Sequence, residues 1–139
     1  MCGIIGYIGR QSAKEIVING LKRLEYRGYD SAGLALFNGD VKVFKCKGRV
    51  RELEELVNKS KFDGTTGIGH TRWATHGEPN ELNAHPQVSY KGNFVVVHNG
   101  IIENYARIKR HLEGRGIAFS SQTDTEAVAN LIEHLYLEG

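Results

Sequence analysis

Apolar and polar positions along this chain fall into short segments, each with a readable period. Cys2 to Ile8 is almost wholly apolar and predicts a buried strand that stops at Gly9. Ser12-x-x-Glu15 is a capping box that opens a helix. Ile16, Val17, Gly20, Leu21 and Leu24 form its inner stripe, and Gly28 ends it. Small and apolar residues from Ser31 to Phe37 predict a strand, Asn38-Gly39 a type I′ hairpin turn, and Val41 to Cys46 the returning strand. Leu53, Leu56 and Val57 mark a short amphipathic helix, and Thr66 to Thr71 another strand. A polar loop carrying histidines and aromatic residues runs from Arg72 to Pro86. Phe94 to His98 is an apolar strand halted by Asn99-Gly100. Then come a helix from Ile101 to Glu113, closed by Gly114-Arg115-Gly116, and a short strand around Ala118 to Ser120. A second capping box, Thr123-x-x-Glu126, opens a helix with the stripe Val128, Leu131, Ile132, Leu135.

The predicted order is β-α-β-β-α-β-β-α-β-α. Strand pairs joined by hairpins argue against a purely parallel sheet and for a layered α+β arrangement with antiparallel sheet. At 139 residues the chain is one domain or part of one, long enough to bury a core. It closes on a helix with no final strand, so the fold is expected to be cut short.

Composition narrows the function classes. Eighteen basic residues against 16 acidic give no reason to expect nucleic acid or an acidic membrane surface as partner. The one basic stretch, Lys42, Lys45, Lys47, Arg49 and Arg51, alternates with apolar residues and reads as a solvated strand face. Cys2 and Cys46 form neither a disulfide framework nor a C-x-x-C pair. No signal peptide or membrane-length apolar run is visible. The expected location is cytoplasmic, where a free thiol survives.

Cys2 lies directly behind Met1. Once an aminopeptidase removes Met1, one residue carries both a thiol, pKa about 8.5, and a free α-amino group, pKa about 7.7–8.0. The amine can take the thiol's proton and later return it to a leaving amine. The plainer reading is a buried strand cysteine. Amide chemistry also needs donors for a tetrahedral oxyanion, and Asn99-Gly100 can offer a side-chain amide and a backbone N–H; the same dipeptide is also a common turn. Arg72 can hold a carboxylate in two-pronged fashion or make a surface salt bridge. Asp124 can accept from an α-ammonium group or simply favour its helix N-terminus. Trp73 is a gate or a packing anchor.

His70, His76, His85 and His98 are separated by 6, 9 and 13 residues, which matches no zinc spacing, so no metal is expected. A Cys–His pair stays open. Gly3-x-x-Gly6-x-x-Gly9 lacks the features of a phosphate loop.

Six blocks now stand in order: Met1 to Ile4, Arg23 to Gly33, Gly69 to Pro79, Asn83 to Pro86, His98 to Asn104 and Thr123 to Glu126. Together they closely resemble the N-terminal glutaminase domain of the glutamine–fructose-6-phosphate aminotransferases (isomerizing), members of the class II glutamine amidotransferases. The likeness covers essentially the whole chain. It implies an N-terminal-nucleophile hydrolase fold, an αββα sandwich of two antiparallel sheets, with residues 1–139 its N-terminal part, the C-terminal side incomplete and the sugar isomerase domains absent.

By that resemblance Cys2 is the nucleophile, with Asn99 and Gly100 the oxyanion hole. Arg72 and Asp124 hold the head group of L-glutamine. Trp73, Thr75 and His76 belong to a loop that closes over the substrate, and Trp73 gates ammonia. His70, His85, His98 and Arg27 also match and are read as support. The implied reaction hydrolyses L-glutamine to glutamate and ammonia through a thioester, without a cofactor. The ammonia passes to a sugar-phosphate isomerase domain that makes glucosamine 6-phosphate from fructose 6-phosphate, in an enzyme that is a dimer at full length. Two alternatives remain: a glutaminase domain of another class II amidotransferase, such as the purine-pathway amidophosphoribosyltransferase, and a non-catalytic glutamine-binding module.

Overall fold

The computed structural model describes residues 2–27, 30–73, 78 and 80–139. Its elements are β1 (Gly3–Ile8), α1 (Ala13–Leu24), β2 (Ser31–Asn38), β3 (Asp40–Lys47), α2 (Val50–Asn58), β4 (Thr66–Arg72), β5 (Gln87–Val88), β6 (Val95–Val96), α3 (Tyr105–Gly114) and α4 (Asp124–Glu138). One sheet has the order β1-β4-β2-β3 and the other pairs β5 with β6; every pairing is antiparallel. The architecture is α+β, as the hairpin pattern predicts.

Strand alternation decides which side chains reach the site. On β2, Ala32, Leu34 and Leu36 are buried with Val17 and Leu21 of α1 and with Val50, Leu53 and Val57 of α2. The opposite face of the sheet carries the register pairs Gly33–His70 and Ser31–Arg72. Period two therefore separates the apolar core side from a second face, polar at the end that holds Ser31, His70 and Arg72 and apolar at the end that holds Ala35, Phe37 and Ile68. Cys2 precedes Gly3, which pairs with Thr71 on the core side, so alternation directs Cys2 to the face that carries His70 and Arg72. Gly33 is needed there for close approach: a Cβ at this position would lie 1.9 Å from the His85 carbonyl oxygen.

The helix N-caps form where the sequence predicts them, as Ser12 and Thr123 side-chain caps without the reciprocal glutamate bond of a full capping box. Ser12 accepts from Glu15 N–H at 3.3 Å, and Thr123 accepts from Glu126 N–H at 3.2 Å. Glu126 reaches beyond its own N-cap, accepting from the backbone N–H groups of Ser120 and Ser121.

Four local expectations are corrected. The β2–β3 hairpin turns at the predicted place, but Asn38 stays paired with Asp40 and only Gly39 has positive φ, 76°, so the turn is not type I′. Helix α3 starts at Tyr105, not Ile101, because the Ile102 N–H is bound to the Asp124 carboxylate, 2.7 Å. Residues 118–120 form no strand; the Ser120 N–H is bound by Glu126.

The fourth is α4. It buries Asp124, Glu126, Asn130 and Glu133 and exposes Ile132 and Leu135. Its buried polar groups accept from the β5–β6 loop: Asn130 from the Tyr90 backbone N–H at 2.8 Å, and Glu133 from the Asn93 backbone N–H at 3.3 Å and from the Ser89 side-chain hydroxyl at 3.0 Å. The helix is thus a column of acceptors that fastens the β5–β6 hairpin and the segment after Gly100. Among the described residues, no helix is long and apolar enough to cross a membrane.

Candidate active site

Cys2, Arg72, Trp73, Gly100 and Asp124 line one cleft, with His85, His98, Thr123 and Thr125 on its walls. Residues separated by up to 123 positions are brought there by β1, by the end of β4, by the turn after β6 and by the first turn of α4.

The Cys2 thiol is held by backbone. Its Sγ accepts from the Trp73 N–H at 3.2 Å and lies 3.4 Å from the Trp73 carbonyl, to which a protonated thiol can donate. The Gly3 N–H donates to Thr71 Oγ1 at 3.1 Å, and Asn99 Nδ2 donates to the Cys2 carbonyl at 3.2 Å. Four contacts therefore fix the sulfur and the adjoining backbone, from the end of β4 and from the turn after β6. Cys46 differs: burial, then Glu52 and Glu81, push its thiol up to about 11, so it stays protonated and unreactive near neutral pH.

Arg72 is 3% exposed. Burial works against its charge, while Asp30, a Cys2 thiolate and Asp124 offset that cost electrostatically. Its Nη1 donates to the Glu78 carbonyl at 3.2 Å. Asp30 also anchors the backbone, its N–H donating to the Arg72 carbonyl at 2.8 Å. The sequence reading assigns Asp30 no role, although it stands inside the Arg23 to Gly33 block. Asp124 is buried, with Oδ2 accepting from Ile102 N–H; among the described residues, no hydrogen bond reaches Oδ1. One carboxylate oxygen therefore holds the segment after Gly100, and the residue also lines the cleft. Gly100 has φ of 133°, a conformation that favours glycine and turns its backbone out of the strand direction.

Asn83 is a second residue without a role in the sequence reading. It is buried, its Nδ2 donates to the Glu78 carbonyl at 2.9 Å, and its Oδ1 accepts from the Gln122 N–H at 2.7 Å. It ties the loop after β4 to the entry of α4. Its signal was its place in the Asn83 to Pro86 block. Trp73 is 55% exposed, so it does not anchor a core. Thr75 and His76, expected in the closing loop, lie outside the described residues, as does Met1. Among the described residues, no group of three or more His, Cys, Asp or Glu is placed to hold a metal ion.

His70 and His85 stack with ring centroids 4.1 Å apart and planes 17° from parallel. Burial lowers His70 to about 4, against the hydrogen bonds of Asn99 and His98. Burial and the neighbouring His70 lower His85 to about 2. Both rings are neutral in the folded protein at neutral pH. Below about 6.5 the unfolded chain binds protons that the folded chain refuses, so folding stability falls as pH falls through that window. Between pH 6.5 and 5 each ring removes about 2 kcal/mol. The expected result is a thermal midpoint markedly lower at pH 5 than at pH 7.5. A midpoint that stays constant, or rises on acidification, would contradict the neutral pair.

A profile of the family described as glutamine amidotransferase domain matches residues 57–136. The chain belongs to that family. The domain is 59% identical over 137 residues to a glutamine–fructose-6-phosphate aminotransferase [isomerizing] of Caldanaerobacter subterraneus subsp. tengcongensis, covering 98% of this chain and 22% of the relative. It is 55% identical over 139 residues to the same-named protein of Chlorobaculum tepidum, covering 98% and 23%. The chain thus spans less than a quarter of the length of these curated relatives. Among solved structures, it superposes with a TM-score of 0.81 and 31% identity on a glutamine phosphoribosylpyrophosphate amidotransferase of B. subtilis, covering 96% of this chain and 29% of that one. A structure titled as the allosteric regulatory enzyme of purine biosynthesis gives 0.82 and 31%. These neighbours establish the N-terminal-nucleophile hydrolase fold for the amidotransferase domain.

Proposed function

We propose that this domain hydrolyses L-glutamine and supplies the ammonia to a sugar-phosphate isomerase part of a longer enzyme, which makes glucosamine 6-phosphate. The observation that carries the reading is the convergence of Cys2, Gly100, Arg72 and Asp124 on one cleft, with Asn99 bonded to the Cys2 backbone. Arg72 suits the α-carboxylate and Asp124 the α-ammonium group of a free amino acid. With the head group held between them, the side-chain amide extends towards Cys2.

In this reading the α-amino group of Cys2, freed by removal of Met1, takes the thiol proton. The sulfur forms a bond to the amide carbon of glutamine. The carbonyl oxygen takes up the negative charge, and Asn99 Nδ2 and the Gly100 N–H stabilise it. Asn99 Nδ2 has two protons, so it can serve the oxyanion while keeping its bond to the Cys2 carbonyl. Collapse breaks the C–N bond, and the ammonium proton on Cys2 goes to the departing ammonia. Water then cleaves the thioester to give glutamate and restore the thiol. The Trp73 N–H steadies the sulfur throughout. Trp73, Thr75 and His76 serve as a covering loop, with Trp73 the gate for ammonia.

The higher identity to the aminotransferases than to the purine-pathway structures supports a sugar-phosphate acceptor. The share of the relatives that is covered supports residues 1–139 as the amidotransferase part, with the isomerase chemistry elsewhere in the enzyme.

The test is the mass of the protein before and after treatment with a glutamine-analogue electrophile. The expected result is loss of Met1 and one adduct, mapped by peptide fragmentation to Cys2 and prevented by excess glutamine. Retained Met1, or an adduct on Cys46, would overturn the mechanism.

A further inference from the structure

We infer that His70 is a positioning residue that sets the orientation of the Asn99 side-chain amide through an Nε2–H donor. The inference rests on the proposed oxyanion role of Asn99. His70 Nε2 lies 2.8 Å from Asn99 Oδ1 and 3.2 Å from the His98 carbonyl oxygen. The carbonyl is an acceptor only, so the ring nitrogen facing it must carry the proton. That settles the tautomer: Nε2 is protonated and Nδ1 is bare. Among the described residues, Nδ1 indeed has no hydrogen-bond partner.

The tautomer in turn settles the amide. An Nε2–H pointing at Asn99 requires the amide oxygen there and places the NH₂ group on the side of Cys2. The opposite flip would set NH₂ against N–H at His70, and oxygen against oxygen at the Cys2 carbonyl, which the amide now reaches at 3.2 Å. An asparagine in a solvent-exposed turn has no such constraint by itself, and Asn99 is exposed. His70 is fully buried. Its ring cannot swing away, because His85 is stacked against it and the His85 backbone is packed on Gly33. A buried ring on β4 thereby orients a group in an exposed turn. His70 touches no reacting atom in this arrangement. Its effect on turnover passes through Asn99.

The experiment is a double-mutant cycle on the complete polypeptide, with the glutaminase kcat and KM measured separately. His70→Leu is expected to lower kcat about 10–100-fold, the range for a misplaced catalytic group, with KM within about twofold. His70→Gln, whose amide nitrogen reaches the place of Nε2, is expected to recover most of that loss, whereas the shorter His70→Asn is not. In an Asn99→Ala background, His70→Leu should lower kcat no further, since its only route to the reaction has gone. Additive losses would overturn the inference while leaving the glutaminase reading intact, because a merely structural histidine damages both backgrounds equally. Equal kcat for His70→Gln and His70→Asn would also overturn it, and this pair decides the matter if His70→Leu fails to fold. Full activity of Asn99→Ala would instead defeat the oxyanion assignment, and the inference with it.

Discussion

Replacing Cys2 by alanine is expected to lower glutamate formation at least about 10⁴-fold, to the level left by binding and oxyanion contacts alone. Among the described residues that line the cleft, no other carries a thiol. Cys46 lies on β3 outside the cleft lining, and its thiol is pushed up to about 11. Glutamine should still bind with a Kd within about threefold of the parent, because Arg72 and Asp124 carry the head group and the sulfur contributes little to ground-state affinity. Calorimetric titration of the alanine variant with glutamine, beside a glutamate-release assay, separates the two effects. Cys2→Ser is the sharper control. It keeps the α-amino base and the backbone contacts but substitutes a hydroxyl, a weak nucleophile far from its pKa at neutral pH. It should bind glutamine equally and turn over far more slowly than cysteine. Turnover persisting in either variant would remove Cys2 from the mechanism.

The second large effect is expected at Asn99. Asn99→Ala should reduce kcat about 10²–10³-fold with little change in KM, the pattern of a lost oxyanion donor. The physical reason is timing. The amide carbonyl of bound glutamine is neutral, and full charge reaches its oxygen only in the tetrahedral intermediate, so the donor acts mainly after binding. Gly100 N–H remains, which is why the loss is not total. The substitution also removes the contact from Asn99 Nδ2 to the Cys2 carbonyl. An Asn99→Asp variant distinguishes the two roles: it retains a similar shape but presents a carboxylate that repels the oxyanion, and it should be at least as impaired as alanine. A change confined to KM in both variants would show that Asn99 serves binding and not the chemical step.

The elements that local chemistry dictates were legible in the sequence. The β2–β3 hairpin follows from a glycine at the one position with positive φ. Helices α1 and α4 start where Ser12 and Thr123 accept from the third residue of their helices. The α2 residues Leu53 and Val57 are buried as their spacing predicts, although Leu56 is 37% exposed. Failure came where tertiary partners override local preference. The apolar stripe over Leu131, Ile132 and Leu135 suggests the wrong buried face for α4, because the interior beneath that helix is made of loop backbone whose N–H groups need acceptors. Carboxylates and an amide meet that need, and no hydropathy period reports it. The late start of α3 has the same origin, in the claim of Asp124 on Ile102 N–H.

By itself, the sequence determined the reactive groups: a thiol at position 2, an arginine at the end of a strand, an aspartate in the first turn of a helix, and Asn99-Gly100 after an apolar run. These are properties of residue type and local position, and the linked blocks name their family. Only the tertiary structure decided how those groups are held. The Trp73 N–H on the sulfur, Asp30 beside Arg72, the double duty of Asp124 and the ring of His70 against Asn99 are contacts between residues far apart in the chain. Antiparallel pairing of β4 with β1 and β2, and the packing of α4 on the segment after Gly100, create them. Distances of this kind are set by how strands and helices pack in three dimensions, a quantity that spacing along a chain does not encode.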